Sequence, residues 1–147
     1  MKLKFAIPLT LFSFFMVNVN AQNLSTHQWK NRLILILVND ATSPELQAQL
    51  IEFRTHSAGM KERKLVVYQI RPNQFQRGLG NDNEWITSNK LYQKYKSDDS
   101  PFEVILIGLD GGIKLTQNEV LTYEKLFAII DAMPMRRREI RDKKREN

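Results

Sequence analysis

The sequence has no cysteine among its 147 residues. That absence removes disulfide bonds, thiol redox chemistry, cysteine nucleophiles and thiolate metal sites together. Histidine is scarce as well. His27 and His56 stand apart, with no neighbouring His, Asp or Glu at a spacing that completes a zinc or iron site. There is no Gly-x-Ser-x-Gly elbow, no phosphate-binding glycine loop and no dinucleotide fingerprint. Gly80-Asn81-Asp82-Asn83-Glu84 is rich in oxygen atoms but lacks the calcium-loop pattern. No metal and no cofactor is expected. Long apolar runs are missing too: Phe5 to Val17, at 13 residues, falls short of the ~20 that span a bilayer.

That run has a different reading. Lys2 and Lys4 precede it, and Val19-Asn20-Ala21 follows as a small-residue cleavage site. Residues 1–21 are therefore expected to be a secretory signal cleaved after Ala21, making the protein exported, periplasmic or extracellular. The net charge of +6 divides unevenly along the chain. The leader holds two lysines, and residues 136–147 hold seven basic side chains against three acidic ones. Residues 22–135 are left balanced, thirteen against thirteen, so a neutral domain carries a basic tail. Export and the lack of aromatic residues in that tail argue against nucleic acid as a partner. An anionic ligand or another protein is the expected partner class.

What is present is an alternation of strands and helices. Arg32–Val38 (RLILILV) is a continuous apolar run, as in a strand covered on both faces. Ser43, Pro44 and Glu45 then open a helix with a cap, a first-turn proline and an acid at the positive end. Leu46, Leu50 and Phe53 form its stripe, and Gly59 is expected to end it. Lys64–Ile70 reads as a second strand, and residues 71–85 as a long exposed loop able to act as a lid. Residues 86–96 look like a short helix with Ser88 as its cap. Phe102–Gly108 is a further buried strand, Leu109-Asp110-Gly111-Gly112 a hairpin turn and Ile113–Thr116 an edge strand. A last helix starts at Thr122 and stops at Pro134.

The resulting order, β-α-β-α-β-β-α, predicts an α/β thioredoxin-like domain over residues 22–135. Its four-stranded mixed sheet should run second, first, third, fourth, flanked by helices. A doubly wound sheet would need a helix between Ile107 and Ile113, where the turn leaves no room.

Four segments carry a resemblance: Trp29–Arg32, Glu62–Val67, Leu106–Leu115 and Ile130–Arg137. The paired motifs Gly-x-Asp-Gly-Gly-x-Lys and Asp-x-Met-Pro-Met-Arg are its most specific part. Over residues 24–140 the chain resembles the family called domain of unknown function 4174. The resemblance implies short exported bacterial proteins, with relatives in secreted vertebrate matrix-associated proteins, and a thioredoxin-like fold related to peroxiredoxins. It implies no established activity. The chain departs from the pattern at Leu109, where a lysine is expected, which removes a charge from the turn.

In a thioredoxin-like frame the catalytic thiol sits between the first strand and the first helix. Here that position offers Asn39, Asp40, Thr42 and Ser43. These cannot exchange disulfides, but a helix N-terminus can hold an anion. Asp40, Thr42 and Ser43 are thus candidate binding residues, although capping also explains Ser43. Asp110 and Lys114 form a second candidate pair, equally accounted for by turn and edge-strand chemistry. Asp131 lies at a helix C-terminus, where the dipole disfavours an acid, so it needs a cation: Arg136, Arg137 or Arg63. Met133 and Met135 are expected to plug the core. The function expected is a non-catalytic binding or interaction module; the alternative is an enzyme of non-thiol chemistry at the N-terminus of the first helix.

Overall fold

The structure, a computed structural model, describes residues 23–80 and 82–146. The expected signal segment and its cleavage site lie outside the described residues.

Two apolar runs make the centre. β1 (Arg32–Val38) and β5 (Phe102–Ile107) are buried along their whole length. β1 pairs in parallel with β2 (Leu65–Arg71), Ile34 opposite Val67, and antiparallel with β5, Ile34 opposite Leu106. A strand hydrogen-bonded on both sides and covered on both faces has no use for polar positions, which is why RLILILV does not alternate. Each aliphatic side chain buried there contributes about 1.5–3 kcal/mol, so this centre substitutes for disulfides.

The sheet has six strands rather than four, in the order β4-β3-β2-β1-β5-β6, with β3 at Gln74–Arg77, β4 at Ile86–Thr87 and β6 at Ile113–Gln117. The expected order of the four strands holds, as β2-β1-β5-β6 at one side of the sheet. Of the two extra strands, β3 comes from the stretch expected to be a long loop and β4 from the start of the stretch expected to be a short helix. Pro72-Asn73 turns the chain, and β3 folds back on β2 with Ile70 opposite Phe75. Gln-Phe-Gln-Arg has one apolar residue in four, yet Phe75 is 1% exposed and anchors the strand. Strand pairing also fixes the first part of residues 71–85, leaving no free lid of that length.

Helices cover both faces. On one, α1 (Pro44–Thr55), α2 (Ser57–Glu62) and α4 (Tyr123–Asp131) supply Leu46, Leu50, Phe53, Met60, Leu126 and Ile130 against Ile34, Ile36 and Val38. On the other, Leu24 from a short 3-10 turn and Leu91 from α3 (Lys90–Tyr95) meet Leu33, Leu35 and Leu37. Ser88 Oγ accepts from the Lys90 amide at 3.3 Å, so the helix begins later than its sequence suggests.

Gly59 does not end the first helix. The chain breaks at His56, and Gly59 lies within α2, where a Cβ would stand 2.5 Å from the Phe127 ring. Its lack of a side chain admits α4 rather than terminating α1. Pro134 stops α4 and also opens α5 (Pro134–Glu146), a position where proline's missing N–H costs nothing. The basic segment is thus largely helical. Trp29 is 62% exposed, and Met135, expected in the core, is 38% exposed. No helix among the described residues is long and apolar enough to cross a membrane.

Candidate functional site

The C-terminal end of β1 delivers the chain to α1 through Asn39–Ser43. Asp40 Oδ1 accepts from both the amide and the hydroxyl of Thr42, each at 2.8 Å, closing a local turn. These two bonds, with help from Arg71, hold the exposed Asp40 carboxyl below the usual aspartate range. Ser43 Oγ accepts from the Leu46 amide at 3.2 Å and donates to Glu45 Oε2 at 2.7 Å. The same bond from Ser43 keeps Glu45 below the usual glutamate range. The three residues expected at this end are therefore brought together, each engaged in shaping the helix start.

Beneath α1 the sheet surface changes character. Val67 belongs to the core on that face, and alternation puts Gln69 and Arg71 on the same side. Gln76 is the cross-strand partner of Gln69, so it faces the same way. Polar side chains continue an apolar face, and a cavity of about 260 Å³ opens there. Its lining includes Leu46, Leu50, Gln69, Arg71, Gln76 and Trp85. Arg71 stacks on the Trp85 ring, its Cζ 3.9 Å from the centroid. Burial lowers the Arg71 pKa, while the charge of Asp40 opposes that shift.

Gln69 and Gln76 are 2% and 1% exposed. Their amide nitrogens donate to the carbonyls of Gly78 at 2.9 Å and Gly80 at 3.2 Å. Three buried side-chain atoms among the described residues are left without a hydrogen-bond partner: Arg32 Nε at the other end of β1 and, in this cavity, Arg71 Nε, a donor, and Gln76 Oε1, an acceptor. Buried polar groups are nearly always paired, because an unmet one costs about 1–3 kcal/mol. None of Gln69, Arg71, Gln76 and Trp85 stood out in the sequence. The signal was there: Tyr-Gln-Ile-Arg and Gln-Phe-Gln-Arg alternate with period two and put glutamine where a core-facing strand would put valine or leucine.

The other candidates gather at the opposite end of β1, roughly 20 Å away along the strand. Lys114 Nζ donates to Asp110 Oδ2 at 2.7 Å, and this bond together with the Gly112 amide holds Asp110 below its usual range. Asp131 pairs with Arg63 (2.6 Å) and Arg136 (3.2 Å), not with Arg137, which is exposed. Arg136, 5% exposed, also reaches Glu62 at 2.8 Å and Glu139 at 3.3 Å. Glu139 in turn pairs with Arg32, which is 1% exposed. These ions tie the first turns of α5 to α2 and the start of β1, and they account for each other's charge. The two sequence motifs meet here around an apolar-lined cavity of about 300 Å³ that includes Asp110, Lys114, Met133 and Met135.

Sequence inspection also missed the buried Glu103 on β5, 0% exposed, which accepts from Lys96 Nζ at 3.3 Å and from the Ser97 amide at 3.2 Å. Among the described residues no group of three or more His, Asp or Glu is placed to hold a metal ion.

No curated protein sequence matches the chain. Among solved structures it is similar to a reduced 2-Cys peroxiredoxin of Plasmodium vivax, with TM-score 0.54 and 16% identity over 79% of this chain and 85% of that one. The mitochondrial 2-Cys peroxiredoxin of Plasmodium falciparum gives TM-score 0.53 and 14% identity over 74% of this chain and 79% of that one. At such identity the likeness concerns the fold: a thioredoxin-like α/β sheet with helices on both faces. The profile of the family described as Domain of unknown function (DUF4174) matches residues 23–139. Nearly the whole described chain lies within that match, and the protein belongs to the DUF4174 family.

Proposed function

We propose that this chain is an exported, non-catalytic binding module that retains a thioredoxin-like frame and seats a ligand beneath the N-terminal half of α1. The observation that carries the reading is the cavity at that end, lined by Gln69, Arg71, Gln76 and Trp85 and containing two buried polar atoms without partners. A thiol enzyme built on such a frame would work from the same end of β1, where this sequence has no cysteine. Hydroxyl chemistry is less suited to the position. Ser43 is committed as the helix cap, and its neighbour Glu45 has a lowered pKa, which makes it a weaker base. Export rests on the expected signal segment.

Screening the purified protein against a small-molecule fragment library, with amide and side-chain resonances as the readout, tests the reading. Fragments that shift the Trp85 indole and the Gln69 and Gln76 amides saturably support it. Turnover in a broad hydrolase and peroxidase screen overturns the non-catalytic part. A library that leaves those resonances unmoved overturns the cavity as a binding site.

A further inference from the structure

Within that reading, on which this inference rests, we propose that the cavity beneath α1 recognises a neutral carboxamide rather than an anion. Gln76, 1% exposed, has already used its amide nitrogen on the Gly80 carbonyl at 3.2 Å, and its Oε1 needs a donor. Arg71 Nε, buried beside the Trp85 ring, needs an acceptor. A carboxylate satisfies the second and repels the first. A primary carboxamide carries an oxygen and an N–H on one carbon and satisfies both.

Spacing agrees with this. Gln69 is opposite Gln76 and Arg71 is opposite Gln74, so Arg71 and Gln76 are diagonal neighbours across the β2–β3 pair. Diagonal neighbours on an antiparallel pair lie about 7–8 Å apart at the backbone. Their long side chains converge on a space that one planar polar group can bridge. The volume of about 260 Å³ equals on the order of nine waters at ~30 Å³ each, enough for a small amide with an apolar substituent. Leu46 and Leu50 border the cavity beside the Trp85 ring, and the rest of its lining is mainly polar.

Charge completes the case. The α1 N-terminus would ordinarily attract an anion. Here Asp40 lies beside it, and its charge couples to Arg71. Glu45 occupies the first turn. An incoming carboxylate must compete with two carboxylates already in place, whereas a neutral amide meets no such opposition.

Propionamide and propionate, equal in shape and different in charge and donor capacity, are the probes. Titrated into the purified protein, propionamide should saturably shift the Arg71 Nε–H, the Gln76 side-chain amide and the Trp85 indole. It should bind at least about ten-fold more tightly than propionate. Gln76→Met, which removes the acceptor at nearly constant volume, should weaken propionamide about ten-fold and tighten propionate, whose repulsion it relieves. Propionate binding as tightly as propionamide overturns the assignment. Fragments of other chemistry entering the cavity while propionamide does not overturn the amide and leave the binding module standing. Silence from every fragment overturns both. Should Gln76→Met fail to fold, the two probes on the unaltered protein still decide.

Discussion

Arg63 and Asp131 meet through two hydrogen bonds, Nε to Oδ1 at 3.0 Å and Nη2 to Oδ2 at 2.6 Å. The same guanidinium lies over the Phe127 ring at 3.9 Å. An acid at the end of α4 that the helix dipole opposes is thereby held by a planar cation fixed on its other side by an aromatic ring. Burial works against ionisation of Asp131, but the bonds from Arg63 and Arg136 outweigh it and keep the pKa below the aspartate norm. A depressed native pKa contributes stability above the unfolded-state value and loses it as pH falls through the native one. Stability should therefore decline below about pH 4, and Asp131→Asn should flatten that decline. At neutral pH Asp131→Asn should cost about 2 kcal/mol, because a partly exposed carboxylate loses charge-assisted bonds. Urea unfolding at pH 7 and pH 3.5 measures both; parallel acid slopes in the two proteins would contradict the assignment.

Arg136 and Arg137 are neighbours in sequence with opposite surroundings. Arg136 is 5% exposed and faces Glu62, Asp131 and Glu139, while Arg137 is exposed. Truncating Arg136 leaves three acids short of a cation, so Arg136→Ala should cost roughly 3 kcal/mol. Arg137→Ala should stay within about 0.5 kcal/mol. Equal effects in thermal unfolding would mean that α5 does not dock as described.

How far the sequence could be read depended on whether a residue's partner was local. β1 and β5 were legible because an unbroken apolar run has few alternatives, and Thr122 because its bond partner, the Lys125 amide, is three residues on. β3 was not, since Gln-Phe-Gln-Arg is polar enough to read as a loop until Phe75 finds Ile70. Asp131 was recognisable as needing a cation, yet the choice among Arg63, Arg136 and Arg137 depends on α2 lying against α4 and α5. The cavity is the extreme case. Its unmet atoms belong to side chains on two strands, and no spacing in one segment encodes that Arg71 and Gln76 share a face beneath α1.

Glu103 is the charge that an apolar strand should not tolerate. It is 0% exposed, with Lys96 Nζ 3.3 Å away and Ser97 donating from both its amide and its hydroxyl. Removing one partner strands the other, so Glu103→Leu and Lys96→Met should each cost about 3 kcal/mol. Replacing both with apolar residues, Glu103→Leu with Lys96→Met, should cost less than either single change, since apolar replacement of a buried pair is often neutral. Guanidinium denaturation of the three variants provides the cycle; strictly additive losses would show that the pair is not coupled.

Gly59 sets two effects against each other. Helix propensity favours alanine by about 1 kcal/mol within α2. The added Cβ would lie 2.5 Å from Phe127 Cε2 and 2.7 Å from Cζ, on a ring already packed on Arg63. Overpacking costs typically 1–3 kcal/mol, so Gly59→Ala should be destabilising overall, by about 1 kcal/mol. Adding Phe127→Leu should recover part of the propensity gain. A Gly59→Ala protein more stable than the parent would show that the ring moves aside freely.

The basic segment invites a polyanion, and the ion network decides how to test it. Removing residues 136–147 would also remove Arg136 and Glu139, which hold α5 to the domain. A loss of binding could then reflect unfolding. Arg141, Lys143, Lys144 and Arg145 are exposed and lie beyond that network's first turns. Replacing these four with glutamine leaves the docking ions intact and removes four charges from one helical stretch. If the segment engages acidic polymers, the parent should be retained on a sulfated-polysaccharide column and released by added salt, as screening requires. The four-glutamine protein should elute far earlier with an unchanged unfolding midpoint. Unchanged elution would assign retention to another surface, and an altered midpoint would show that these four side chains stabilise the fold.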